Sequence, residues 1–147
     1  MFNSERLLKI MQNAFDEGPP PEPFPDVAHV ALHVGSSPPA ISGASFVEPS
    51  APEYVRQQIS NAAFWSPAEI PITGPYEGFA IKQNVQSLTW PEAASPWGTP
   101  TFVGMFPTTQ GGLPFAVAEI TEGQLQIVFG VQVRFSPARL TLVARRF

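Results

Sequence analysis

The sequence contains no cysteine, and only 14% of its 147 residues are charged. Without cysteine, a disulfide framework and a thiolate metal site are both excluded. The charged fraction is well below the roughly 25% of an average soluble domain. We therefore expect an unusually uncharged surface, which is more typical of a protein that contacts other proteins than of a free monomer.

The sequence also lacks a long apolar run. No stretch approaches the roughly 18 consecutive apolar residues that mark a membrane span. Arg6 and Lys9 interrupt the apolar residues near the start, so no signal peptide is predicted. We expect a soluble protein that has no membrane partner and is used without export.

Catalytic and phosphate-binding motifs are missing as well. The sequence has no serine nucleophile elbow, no glycine-rich phosphate loop and no His-Glu-x-x-His. His29 and His33 lie four residues apart on a predicted strand, a distance of about 13 Å, which is too far to bind one metal ion together. We expect these two histidines to be hydrogen-bonded or exposed to solvent.

The acidic residues do not identify a catalytic pair. A glycosidase pair could be drawn from Glu53, Glu69, Glu77, Glu92 and Glu119. Any acidic protein offers such pairs, so the pattern is not specific. The sequence predicts a protein that is not an enzyme and that has no catalytic residue, cofactor or metal ion.

Charge is unevenly distributed along the chain. The formal net charge is −4, but residues 1–122 hold all 12 acidic residues, and residues 123–147 hold four arginines and no acid. An acidic body with a basic end could pair head to tail with copies of itself, so Arg145 and Arg146 are candidate assembly contacts. Solvated arginines on a strand face are the commoner arrangement. The negative net charge disfavours nucleic acid as a partner.

Residues 1–26 are predicted to form a short helix followed by a proline-rich arm. Asn3 or Ser4 caps the helix, and Gly18 ends it. A helix of about 12 residues is marginal in isolation, so its apolar stripe must dock on something. This stripe consists of Leu7, Leu8, Met11 and Phe15.

The connector from Gly18 to Pro25 is typical of polyproline II, which is extended and stiff. An arm of this kind either lies on its own domain or reaches a neighbour. Its candidate assembly contacts are Pro19, Pro20, Pro21 and Phe24.

Residues 27–147 are predicted to form one β domain. The 18 prolines and 11 glycines of the chain are too many for a helical bundle. The predicted fold is mainly β, an antiparallel β-sandwich or jelly roll with one short N-terminal helix. The predicted strands are Val27–Val34, Tyr54–Ile59, Gly78–Lys82, Gln86–Trp90, Thr101–Phe106, Leu113–Ile120, Leu125–Phe135 and Arg139–Phe147.

The strongest local signals lie in the second half of the chain. Turn residues from Pro107 to Gly112 separate two apolar arms, which predicts a β-hairpin. From Leu125 to Phe135 apolar residues alternate with others, which predicts a long strand. Gly130, in its middle, suggests a bulge or a close backbone approach.

Two features earlier in the chain leave alternatives open. Tyr54 and Arg56 share one strand face, and we expect Arg56 to brace a loop carbonyl or an acid rather than bind a substrate carboxylate. The segment from Phe64 to Tyr76 is aromatic and broken by prolines. Phe64, Trp65 and Tyr76 are candidate contacts for a partner or a glycan, although such aromatics more often fill the end of a sandwich.

Short motifs follow one another along most of the chain. They are Val30-Ala31-Leu32-His33, Glu48 with Tyr54-Val55-Arg56, Asn84 with Leu88-Thr89-Trp90-Pro91, Trp97-Gly98-Thr99, Val103-Gly104-Met105-Phe106, Gly111-Gly112-Leu113, and Phe135 with Leu140-Thr141-Leu142. In this order they resemble a set of small tailed-bacteriophage virion structural proteins, often labelled tail-fibre-like, minor tail or decoration-type proteins. The chain departs from that pattern in its long connector, in Pro52 where a glycine-rich turn is usual, and in its aromatic insert.

The resemblance implies a non-enzymatic protein that assembles in many copies in the virion. The leading expectation is a capsid decoration (cement) protein that packs on the shell and on sister copies, as a homo-oligomer whose N-terminal arm clamps a neighbour. The alternative is a tail or baseplate adaptor, or a fibre-like module that recognises a host surface glycan. In both cases the partners are phage capsid or tail proteins, and the protein is located in the virion after assembly in the host cytoplasm.

Overall fold

The computed structural model describes residues 25–40, 45–120 and 125–144. Within these ranges the chain is mainly β, with antiparallel sheets and one short helix. The strands are β1 (Val27–His33), β2 (Gln57–Ser60), β3 (Ala80–Gln83), β4 (Leu88–Thr89), β5 (Phe102–Phe106), β6 (Ala116–Glu119), β7 (Arg134–Phe135) and β8 (Thr141–Ala144), and helix α1 (Asn61–Phe64) follows β2. The predicted N-terminal helix and arm, together with Arg145 and Arg146, lie outside the described residues.

Strand β1 lies inside a four-stranded sheet with the order β2-β1-β5-β6. All of its residues after Val27 are buried, because it has a strand on each side and both of its faces are covered. This explains why its sequence is a nearly continuous apolar run. The prediction of a first strand here is confirmed.

The predicted hairpin is also confirmed. Strands β5 and β6 pair antiparallel, with Gly104 opposite Val117. A Cβ atom on Gly104 would lie 2.7 Å from Cε2 of Phe46, so only glycine leaves room for this ring. The Phe46 ring also lies 5.1 Å from His33 and 5.2 Å from Phe106, centroid to centroid, and it covers this face of the sheet.

Two smaller sheets, β3 with β8 and β4 with β7, complete the described fold. Their buried side chains join those of the four-stranded sheet in a single hydrophobic cluster, so the three sheets share one core. The cluster includes Val30, Leu32, Leu88, Trp90, Trp97, Val103, Met105, Ile127 and Leu142.

The prediction of one long strand from Leu125 to Phe135 is wrong. Only β7 at its end is a strand, and Ile127 forms an isolated bridge to Gly98. Between them the chain turns, with the Val131 N–H donating to the carbonyl of Val128 at 3.1 Å. Gly130 adopts a φ of +81°, a left-handed conformation that a strand residue does not take. The alternation of apolar residues therefore belongs to a loop, in which Phe129 is 75% exposed.

Other predicted boundaries shift by a few residues. The second strand begins at Gln57 rather than Tyr54, because Tyr54 donates its N–H to the Ala51 carbonyl in a turn. After α1, the proline-broken segment that ends at Tyr76 meets the rest of the chain through two isolated bridges, Trp65 to Asn84 and Glu69 to Ile81.

Asn84 fixes the chain between the two small sheets. Its side chain is buried and donates to the carbonyls of Gln86 and Ser136, and it accepts from the Leu140 N–H at 2.8 Å. Its backbone also donates to the Leu140 carbonyl and accepts from the Ala138 N–H. One asparagine thereby joins the loop before β4 to the turn that leads into β8.

We predict that Asn84→Ala lowers the free energy of unfolding by about 1–3 kcal/mol, since it leaves a buried N–H and two carbonyls without their partner. Chemical denaturation of the full chain measures the loss. Gln83→Ala is the matched control, because the Gln83 side chain makes only a long hydrogen bond of 3.4 Å to Thr141. Equal losses for the two variants would contradict this role of Asn84.

Candidate functional site

The Arg56 side chain is held by hydrogen bonds within the scaffold. Its Nε and Nη2 donate to the Glu48 carboxylate, with Nη2 at 2.7 Å from Oε2, and its Nη1 donates to the carbonyls of Thr108 and Gly111 at 2.9 and 3.0 Å. The Arg56 side chain is only 4% exposed, and that of Glu48 is 27% exposed. The prediction that Arg56 braces a loop carbonyl or an acid is confirmed, since it binds both.

Two aromatic residues complete this cluster. The Arg56 guanidinium carbon lies 3.6 Å from the centre of the Phe106 ring, a cation–π contact. The Tyr54 hydroxyl accepts from the Leu32 N–H at 2.8 Å and donates to Glu48 at 3.3 Å. Burial raises the pKa of Tyr54 well above its usual range. The cluster thus connects β1, the hairpin turn and the segment before β2. Its one cation, Arg56, is already bound within the scaffold and is not available to a substrate.

Glu53 accepts four hydrogen bonds on a single carboxylate oxygen. Its Oε1 accepts from the N–H groups of Ala94 and Ser95, from the Ser95 hydroxyl and from Nε1 of Trp97. The hydrogen bond from Trp97 contributes most to lowering the pKa of Glu53 to about 2. A carboxylate kept ionised in this way cannot act as a general acid. Glu53 instead fixes the loop before Trp97.

His33 is a structural histidine. It is fully buried, its Nδ1 accepts from the Val47 N–H at 2.8 Å, and its Nε2 donates to the Ser37 carbonyl at 2.9 Å. These two bonds define one neutral tautomer. The prediction of a hydrogen-bonded histidine is confirmed for His33. In the described ranges no group of three or more histidine, aspartate or glutamate residues could hold a metal ion.

The three candidate aromatic contacts are not on one surface. Phe64 and Trp65 are buried in the core, where their rings pack edge to face at 4.9 Å, and the Trp65 indole donates to Asn61. Tyr76 is at the surface, 37% exposed. A stacking platform made of all three rings is therefore not formed, and Tyr76 is the one that faces solvent.

Tyr76 lies on the rim of a groove of about 660 Å³, which falls within the range of ligand sites in proteins. Buried Ile120 and Ile127 line this groove, and exposed Leu125 stands at its edge. Three charged side chains also line it, Glu119, Arg134 and Arg139, and together they carry a formal charge of +1.

The loop that borders the groove has an exposed apolar surface. Leu125 is 68% exposed, and the same loop carries exposed Val128 and Phe129. Sequence reasoning missed this surface, because it assigned alternate residues of this stretch to the core face of a strand. Gly130 was the available signal, since a mid-strand glycine also fits a turn. We define the groove together with Leu125 as the candidate site.

Comparison of the chain with models of protein families and with curated proteins yields no match. No helix within the described ranges has the length and apolar character needed to cross a membrane. The function must therefore be inferred from the candidate site and the scaffold around it.

We predict that Arg56→Met lowers the free energy of unfolding by about 2–4 kcal/mol, because it leaves Glu48 and two carbonyls without their donor. Arg56→Lys should recover only part of this loss, since an ammonium cannot reproduce the planar set of donors. Denaturant titration measures both. Arg134→Met is the control, because exposed Arg134 makes one bond of 3.2 Å to Ser87. A loss at Arg56 no larger than that at Arg134 would refute this prediction.

We predict that Glu53→Gln destabilises the protein at neutral pH and that its deficit disappears in acid. The folded pKa of Glu53 is lowered from 4.5 to about 2, so its stabilisation is present above pH 4.5 and is lost as the pH falls through about 2. Unfolding curves at several pH values between 2 and 7 measure the gap between variant and parent. Glu92→Gln is the control, because it removes the same charge at an exposed position. A gap that is unchanged at the lowest pH would contradict the prediction.

Proposed function

We propose that this chain is a non-enzymatic structural protein of a tailed-bacteriophage virion, and that it works as a capsid decoration protein. One observation carries the proposal. Arg56, Glu53 and His33, three polar residues of kinds that serve catalysis in other proteins, are hydrogen-bonded within the scaffold, whereas apolar side chains are exposed beside a groove. A chain that uses polar side chains for internal hydrogen bonds and exposes apolar ones is suited to assembly.

The resemblance to small virion proteins agrees with this arrangement. Several of the motif residues that carry it have scaffold roles: Glu48 and Arg56 form the buried ion pair, Asn84 joins two sheets, and Gly104 admits the Phe46 ring. We further propose that the three antiparallel sheets around the shared core form a sandwich of the jelly-roll type. In this proposal the protein binds the capsid shell and sister copies, and it needs no cofactor.

A tail or baseplate location is the second candidate. It is favoured by exposed Tyr76 at the groove rim, because an aromatic face beside polar groups suits a sugar ring. In that case the protein is an adaptor or fibre-like module that contacts tail proteins and binds a host surface glycan.

Copy number separates the two locations. We predict that quantitative mass spectrometry of purified particles finds this chain at hundreds of copies per virion, in a fixed ratio to the major shell protein. A few copies up to a few dozen would instead place it in the tail. Absence from purified particles would overturn the virion role itself.

A further inference from the structure

We propose that the groove binds the N-terminal segment, residues 3–15, of a neighbouring copy of this chain, so that copies join head to tail. The inference deepens the proposed assembly role and rests on it. Its starting point is the groove, which is lined by buried Ile120 and Ile127, by exposed Leu125 and by two arginines.

The N-terminal segment has the chemistry that such a groove binds. Its stripe contains Leu8, Met11 and Phe15, which lie at the spacing i, i+3 and i+7 of a helix that packs one face into an apolar groove. The segment requires a docking site, because a helix of about 12 residues is marginal alone.

Charge favours the same pairing. Residues 1–24 contain four acidic and two basic residues, a formal charge of −2. The described residues that line the groove carry +1, from Arg134 and Arg139 against Glu119. The acidic residues Asp16 and Glu17 directly follow the apolar stripe, where they can meet exposed Arg134 of the groove lining.

The direction of β1 favours a neighbour over the chain's own groove. The described chain starts beside α1, where the Pro25 carbonyl accepts from Asn61. The groove lies at the other end of the sheet, because Glu119 pairs with Phe102 and Phe102 pairs with His33. These two ends are about 20 Å apart along β1. The N-terminal segment therefore joins the described chain at the end of β1 that lies away from the chain's own groove, an arrangement that favours the groove of another molecule.

A contact between two different surfaces does not close on itself in a pair. Each copy offers one groove and one segment, so the association continues into a ring or a chain of copies. This gives the test a specific signature. A variant with a defective groove and a variant with a defective segment share one working contact, so together they can form only a one-to-one pair.

The test uses the full chain and sedimentation velocity over a range of concentrations. The groove variant carries Leu125→Asp and Arg134→Glu, two exposed positions at which the fold should survive. The segment variant carries Leu8→Asp and Met11→Asp. The control is Ile72→Asp, which changes an apolar residue that is 86% exposed and does not line the groove.

We expect the parent and the Ile72 control to form assemblies larger than dimers. Each defective variant should associate at least about tenfold more weakly, and an equimolar mixture of the two should form one-to-one dimers. A parent that stays monomeric, a groove variant that associates like the parent, or a mixture that stays monomeric would each overturn the inference. So would a control that dissociates as the groove variant does.

Unfolding curves of each variant show whether a loss of association is caused by a loss of fold. Detection of the chain in purified particles tests the virion role separately. If the chain is present in particles but the groove variant associates normally, the groove inference fails and the virion role stands. If the association follows the expected pattern but the chain is absent from particles, the groove inference stands and the virion role fails.

Discussion

The buried pairing of Arg56 with Glu48 is the interaction on which the rest of the described structure depends. An arginine side chain that is almost fully buried must have partners, and here they come from two parts of the chain, the segment that carries Glu48 and the hairpin turn. Glu48 lies in the segment that covers the sheet, the carbonyls lie in the hairpin turn, and Tyr54 links Glu48 to β1. The pairing therefore attaches this covering segment to the central strands, and the same segment carries Phe46, whose ring lies over Gly104.

The same pairing explains the surface. A chain with few charges that places Arg56, Glu48 and Glu53 in internal hydrogen bonds has few left to solvate its exterior. In the described ranges, Trp90 Nε1 is the buried polar side-chain atom without a hydrogen-bond partner, so polar groups inside are otherwise well satisfied. The polar groups of the interior are satisfied, while the loop beside the groove exposes apolar side chains.

Sequence reasoning succeeded where the signal was local. β1, the hairpin and the bracing role of Arg56 follow from a short apolar run, from turn residues and from the tendency of an arginine to bind a carbonyl or an acid. It failed from Leu125 to Phe135, because an alternation of apolar side chains does not exclude a turn of the backbone, and here the chain turns at Gly130. It could not have found the groove, whose walls come from Tyr76, Glu119 and the 125–141 region, far apart in sequence. Burial of Phe64 and Trp65 was likewise decided by tertiary packing rather than by their own segment.

The turn at Gly130 has an evolutionary consequence. Because the loop projects Leu125, Val128 and Phe129 away from the core, these side chains contribute little to folding. Substitutions there cost the scaffold little, whereas changes at Arg56 or Asn84 remove its internal hydrogen bonds. Under the proposed assembly role, the contact surface can therefore vary through one short loop while the sheet beneath stays constant.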